Sequence, residues 1–214
     1  MFKRIKYILP TLAIIGSLGV TSINVDAFEG IFKSNLSTQN ILENLEYEES
    51  ELRPLDYTID EIRQMTMAEY YSKCFPEIWE TCTPSEKEEY SKMKYSDLNE
   101  ASNRSIPIIN VFVASGAVTS PSTKTAKGQV AIVGDGSVKA SRMDISYILY
   151  DSTGATYAGG SGGKSNTTYY GMTFESRVIP SGKKVYVESV NKLKFKSGDA
   201  TQTVKYKSST VTVK

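Results

Sequence analysis

Histidine is absent from all 214 residues, and no other feature removes as much chemistry. Without an imidazole there is no Ser-His-Asp or Cys-His nucleophilic machinery and no histidine-ligated zinc. Tryptophan occurs once, as Trp79, and cysteine twice, as Cys74 and Cys82. Long hydrophobic runs are scarce too. Beyond Val20 the best candidate, Ile106–Ala114, is strand-sized, whereas a spanning helix takes about 20 apolar residues. Neither sign of charge dominates, with 25 Lys and Arg against 24 Asp and Glu. No catalytic residue, cofactor, metal or nucleic-acid partner is expected.

What is present begins with a leader. Lys3, Arg4 and Lys6 precede the mostly apolar run Tyr7–Val20, and Val25-Asp26-Ala27 supplies the small-x-small pattern of a signal-peptidase site. That order reads as a secretory signal cut between Ala27 and Phe28. An uncleaved anchor fits less well, because the run is short, carries Pro10 and ends in Thr21-Ser22. The mature chain is then expected to be secreted, with no membrane span.

Charge divides along the chain. Between Phe28 and Glu100 acids dominate (Glu43, Glu46, Glu48, Glu49, Glu51 and others), while lysines prevail from Arg104 onward. Either the halves attract each other or the basic half meets an anionic surface. In an exported protein the close pair Cys74 and Cys82 reads first as one disulfide. On an unbroken helix their Cα atoms would stand about 12 Å apart, too far for a bridge, but Pro76 between them offers a turn. Two free thiols are the alternative.

Residues 28–57 read as an acidic, partly disordered lead. Residues 58–104 read as a small helical bundle, because Thr58…Glu61, Thr66…Glu69 and Thr83…Glu86 each have capping-box spacing, the last with Pro84 at the first helical position. Ile62, Met65, Met67, Tyr70, Tyr71, Phe75, Ile78 and Trp79 supply its apolar side. From Ile106 the period shifts towards two. Six or seven short strands separated by turn chemistry predict an antiparallel β-sandwich over 105–214, with 115–127 as a flexible connection and Ile145–Tyr150 as a central strand. The overall class expected is α+β.

The order Gly128-Gln129-Val130-Ala131-Ile132, Ser141-Arg142-Met143-Asp144-Ile145, Leu149-Tyr150-Asp151 and Ser181-Gly182-Lys183-Lys184-Val185-Tyr186-Val187 resembles small exported β-sandwich proteins of Gram-positive bacteria. The resemblance covers about residues 106–214 and implies an immunoglobulin- or fibronectin-III-like topology. It carries no site residues. The immunoglobulin Cys…Trp…Cys arrangement is missing, since both cysteines and Trp79 lie in the helical half.

Motifs for chemistry are weak. Ala158–Ser165 is one glycine short of a phosphate-binding loop, and strand-like residues follow it where a helix is needed; it reads as a flexible hairpin loop. Ser161…Lys164 and Ser181…Lys184 have Ser-x-x-Lys spacing but lie in turns, and Ser91…Lys94 lacks its companion motifs. Asp135, Asp151 and Asp199 read as Asx turns rather than calcium ligands. The strongest hint is Lys192, Lys194 and Lys196 with Lys205 and Lys207: at period two they share one strand face while Leu193 and Phe195 point inward. Such a stripe suits an anionic wall polymer or glycan, or else protects a strand edge from aggregation. Tyr157, Tyr169, Tyr170 and Tyr186, if exposed, would stack on sugar rings. The expectation is an exported, non-catalytic protein associating with an anionic envelope or glycan surface. The alternative is a processed precursor with an acidic pro-region and a basic toxin-like β-domain.

Overall fold

The computed structural model describes residues 46–98, 100–101, 108–109, 112–134, 139–195, 201–208 and 210–214. The leader with its Ala27–Phe28 site, residues 28–45 and Lys196 lie outside the described residues.

All three threonines cap helices. Each accepts from the backbone N–H of its glutamate partner, and each glutamate accepts from the threonine N–H. Thr58 opens α1 (Ile59–Gln64) and Thr66 opens α2 (Met67–Glu69), which runs on into a π-helical turn over Tyr70–Cys74. Pro76 begins α3 (Pro76–Thr81), Thr83 opens α4 (Pro84–Lys92), and a 3-10 turn spans Tyr95–Asp97.

The strands are β1 (Glu48–Glu49), β2 (Glu100–Ala101), β3 (Ile108–Ile109), β4 (Phe112–Thr119), β5 (Ala126–Gly134), β6 (Ala140–Asp151), β7 (Thr156–Thr167), β8 (Tyr169–Ser176), β9 (Lys184–Lys194), β10 (Gln202–Lys207) and β11 (Val211–Thr212). They form two mostly antiparallel sheets. The first has the order β1-β8-β5-β4-β3, the second β2-β10-β9-β6-β7, with β11 beside β9. Among the described residues, only the short β1 and β2 pair in parallel. The anticipated central strand Ile145–Tyr150 lies in β6, between β7 and β9.

Strand alternation gives the second sheet two different faces. One meets the first sheet: Met143, Ile145, Tyr147, Leu149, Val185, Val187 and Leu193 share a core with Val130, Ile132, Tyr170, Met172 and Phe174. The other is covered by the helices: Ile148, Tyr150 and Val190 pack with Ile62, Met67, Tyr70, Tyr71, Phe75, Tyr90 and Tyr95. The helices therefore take part of their core from the sheet, where the sequence suggested a bundle of their own.

Four expectations need correction. Residues 115–127 are no flexible connection, since Ser115–Thr119 belong to β4 and Ala126–Lys127 to β5, paired to each other through Thr119↔Lys127. The described part of the acidic lead is ordered. β1 adds to β8, and Arg53 forms an antiparallel bridge with Gly159, so residues 48–53 strap the edges of both sheets. Gly159–Asn166 is not a loop but the greater part of β7. Its glycines are required there: a Cβ on Gly162 would meet the Tyr170 hydroxyl, and one on Gly163 the Asp144 carboxylate and Arg142 guanidinium. Finally, Cys74 and Cys82 are buried free thiols rather than a disulfide. Cys74 ends the π-helical turn, while α3 carries the chain away to Cys82, whose thiol donates to Ile78 O at 3.4 Å.

Candidate functional site

Lys192, Lys194, Lys205 and Lys207, the described lysines of the stripe, share one face as their spacing predicts, but helices pack on that face. Lys192 is 3% exposed, with its ammonium 3.4 Å from Glu86 Oε1 on α4, 4.0 Å from Asp144 Oδ2 and 3.4 Å from Cys82 Sγ. Lys194 reaches the other Glu86 oxygen at 3.6 Å. Lys205, also buried, lies 5.0 Å over the Tyr95 ring. A single helical carboxylate, Glu86, thus pairs with two lysines of the stripe, which follows the first of the two outcomes that the charge division allowed.

The groups around Lys192 feel opposing forces. Burial pushes the Glu86 carboxyl up, but hydrogen bonds from Thr201 and the Thr83 amide, with the Lys192 charge, outweigh it and bring it down to about 2. Asp144 goes the other way: burial raises it, and the Arg142 guanidinium, 2.7 Å away, offsets only part of that. Burial also raises the Cys82 thiol against the pull of Lys192, so this cysteine is not held as a reactive thiolate.

Lys207 differs from the other described lysines of the stripe. It is half-buried, pairs with no carboxylate among the described residues, and holds its ammonium 4.7 Å over the Tyr186 ring and 5.7 Å over Tyr150. Those rings stack at 5.4 Å and 18°. Arg63 of α1 approaches Tyr150 with its guanidinium carbon 6.0 Å from the centroid, and it pairs with Asp60 at 3.1 Å. Beneath them the fully buried Glu188 accepts from Tyr95 OH at 2.6 Å and Tyr150 OH at 3.0 Å, and Arg63 lies 3.9 Å away.

Asp60, Arg63, Tyr150, Tyr186 and Lys207 line a polar cleft of about 190 Å³ between α1, the β6–β7 turn and the ends of β9 and β10, with Glu188 buried behind Tyr150. Ser152 and Thr153 are exposed on the turn. Asp151 holds that turn: its carboxylate accepts from Thr153 N at 2.8 Å, Thr153 Oγ1 at 2.6 Å and Tyr157 OH at 2.9 Å, with Lys183 at 2.9 Å. Burial raises its carboxyl, yet those partners together drive it well below the ordinary carboxylate range. The Asx-turn expectation therefore holds at Asp151, while Asp135 and Asp199 lie outside the described residues. Of the tyrosines proposed for sugar stacking, Tyr170 is buried, and Tyr186 is the one that lines the cleft.

Sequence reasoning missed Arg63, Glu188 and Tyr150 as one site. Only the Asp-Ser-Thr-Gly turn was legible; the other elements meet it through sheet order. A second, shallower groove runs along α4, lined by Ser85, Glu88, Glu89, Lys92 and Met93, and one element supplies nearly all of its walls. Among the described residues no group of three or more acidic or cysteine side chains is placed to hold a metal ion, and no helix is long and apolar enough to cross a membrane.

No protein-family model matches the chain, and no curated protein matches it. Two solved structures show distant likeness. The Northeast Structural Genomics Consortium target SoR45 is 12% identical with a TM-score of 0.35, covering 50% of this chain and 90% of that one. A structure named "putative beta-galactosidase from bacteroides fragilis" is 14% identical with a TM-score of 0.29, covering 42% of this chain and 15% of that one. Neither likeness is close enough to inform function.

Proposed function

We propose that the chain is an exported, non-catalytic binding protein that holds an anionic glycan of the cell envelope through the Lys207–Tyr186 cleft. Lys207 carries this reading: among the described residues its ammonium lacks a carboxylate partner, and it sits beside a stacked tyrosine pair at a cleft mouth. A cation next to an aromatic face and the exposed Ser152–Thr153 turn suits a sugar ring bearing a phosphate or carboxylate. Drug-sized ligands occupy about 300–1,000 Å³, so a cleft of about 190 Å³ fits one polar unit of a polymer. Asp60, at the rim, adds an acceptor for sugar hydroxyls.

For the fold, we infer an immunoglobulin- or fibronectin-III-like sandwich. The order β4-β5-β8 facing β10-β9-β6-β7 matches strands A-B-E facing G-F-C-C′, with the helices laid over the outer face of the second sheet. The precursor reading has less support. Removing the helices would uncover Ile148, Tyr150 and Val190 and leave Lys192 without Glu86.

The test is binding of the purified protein to Gram-positive cell-wall sacculi, before and after extraction of their phosphate polymers. Lys207→Ala is expected to weaken binding about tenfold, equivalent to 1.4 kcal/mol, while Lys194→Ala leaves it unchanged. Absence of binding at low salt, or equal binding by Lys207→Ala, overturns the reading.

A further inference from the structure

β6 and β9 set Asp144 and Lys192 directly opposite each other, on the face that the helices cover. Residues opposed in this way across antiparallel strands hold their side chains within reach of one another. Both are shut off from solvent, Asp144 at 1% and Lys192 at 3% exposure. Helix α4 brings Glu86 to the same spot, 3.4 Å from the Lys192 ammonium, and its Tyr90 ring stands 6.0 Å away.

As an ion pair the arrangement is poor. A charge-assisted N–H···O bond measures about 2.7–2.9 Å, yet the nearest oxygens of Glu86 and Asp144 lie 3.4 Å and 4.0 Å from the Lys192 nitrogen. Asp144 Oδ1 accepts from Arg142 Nε at 2.7 Å, while the buried Oδ2 accepts from no group among the described residues. A buried polar atom without a partner is costly, and so is a buried charge that is loosely paired. An amide between the two side chains would remove both charges and the orphaned oxygen together.

The same atoms are placed for that condensation. Reacting atoms meet at about 3–3.5 Å, so a small shift of the flexible lysine end carries Nζ from its place beside Oδ2 onto the carboxyl carbon. Arg142 sits on the other oxygen, where a guanidinium steadies the negative charge that grows as a nucleophile adds. The two carboxyls are also pushed apart in the useful sense. Burial holds Asp144 towards the protonated form, whose carbon accepts a nucleophile; at Glu86 burial is outweighed by Thr201 and Thr83, which keep it ionised and able to take a proton.

We propose that Lys192 and Asp144 join in an intramolecular amide, with Glu86 carrying the protons. Glu86 takes one proton from the ammonium, and the freed Nζ lone pair forms a bond to Cγ of the protonated carboxyl, leaving charge on Oδ1 beside Arg142. Glu86 then hands its proton to Oδ2, the Cγ–Oδ2 bond breaks, and that oxygen departs as water. A second proton passes from Nζ to Glu86 and on to solvent, which leaves one on the amide nitrogen. Nothing is oxidised or reduced. The ion pairs of Lys192 belong to the freshly folded chain, before this bond closes.

Mass spectrometry of the folded full chain, kept at neutral pH, tests it. The natural protein is expected to weigh one water less than its sequence from the observed N-terminus, and digestion to release a branched peptide joining the segment with Asp144 to the segment with Lys192. Asp144→Ala and Lys192→Arg should keep the full mass. Glu86→Gln preserves the shape of the side chain; it should match the natural chain in circular dichroism yet lose water about a hundredfold more slowly, the scale of a lost acid–base group. Full mass in the natural protein, which needs no variant to fold, overturns the proposal. So does a loss of water that persists in Lys192→Arg or that maps within a single segment, as a cyclic imide at an aspartate would.

Discussion

The two faces of the second sheet lie on opposite sides of the same strands, yet they are buried by different means. Towards the first sheet, Met143, Ile145, Leu149, Val185, Val187 and Leu193 meet other apolar side chains, and the buried polar pair on that face, Asn191 and Ser189, hydrogen-bond to each other. Towards the helices, the intervening residues include Asp144, Ser146, Tyr150, Glu188 and Lys192, all at most 3% exposed. The helices answer with tyrosines: Tyr70 OH lies 2.9 Å from Ser146 Oγ, Tyr95 OH donates to Glu188, and Tyr90 OH lies 3.0 Å from Thr203 Oγ1. A tyrosine offers an apolar ring and a polar tip, so a helix rich in tyrosine can cover a charged strand face and partner most of it, with Tyr71 OH and Asp144 Oδ2 left without a hydrogen bond. Burial does not require an apolar sequence when the covering layer carries the missing partners.

The sharpest way to break this comparison is to remove one residue from each face. Lys192→Ala leaves Glu86 and Asp144 buried without their shared cation and is expected to cost about 3–5 kcal/mol. Leu149→Ala opens a cavity on the opposite face at about 2–5 kcal/mol. Urea unfolding at neutral and acidic pH separates them: the Lys192→Ala deficit should shrink as the carboxylates protonate, and the Leu149→Ala deficit should not. Equal pH behaviour would mean that both faces are held by packing alone.

A smaller effect is expected at the caps. Thr83→Ala removes the acceptor for the Glu86 N–H and should cost about 1 kcal/mol. Hydrogen exchange should quicken within Pro84–Lys92 and leave β5 and β8 unchanged; acceleration in both would show that the layers open together.

The smallest effect is one of slope. Glu86 titrates below its ordinary value in the folded chain, so its contribution is present above about pH 4.5 and is lost as pH falls towards about 2. Asp144 is raised, so its ionised form costs stability at neutral pH and protonation relieves that cost. Acid titration of unfolding should therefore be flatter in that window for Glu86→Gln, and no flatter for Asp144→Asn.

Much of this was legible wherever the signal was local. The Thr-x-x-Glu boxes, the turns at Ser152–Gly154 and Pro180–Gly182, and the inward pointing of Leu193 and Phe195 rest on neighbours in sequence. Two misreadings share one cause. Glycines at 159, 160, 162 and 163 resemble a loop, but the side chains that demand them, Tyr147, Tyr170 and Arg142, come from other strands. Period two placed the described lysines on one face, yet it says nothing of what lies against that face. The clue to the cover was the charge division itself, and it names no pair; that Glu86 would meet Lys192 depends on where α4 docks.

The strap at residues 48–53 has a consequence for kinetics. Glu48 and Glu49 pair with Met172 and Thr173, and Glu100 pairs with Lys205, so early segments find their places only once distant strands exist. Closing such long loops puts the chain among slow folders, on the millisecond-to-second scale, even though its capped helices nucleate locally. Refolding should show helical signal fixed together with the β-signal, because α1 to α4 have no surface to rest on until β9 and β10 have joined β6. A chain threaded through a narrow passage from its N-terminus would stay extended and compliant for most of its length, and would become rigid only when the strands beyond Lys184 had followed.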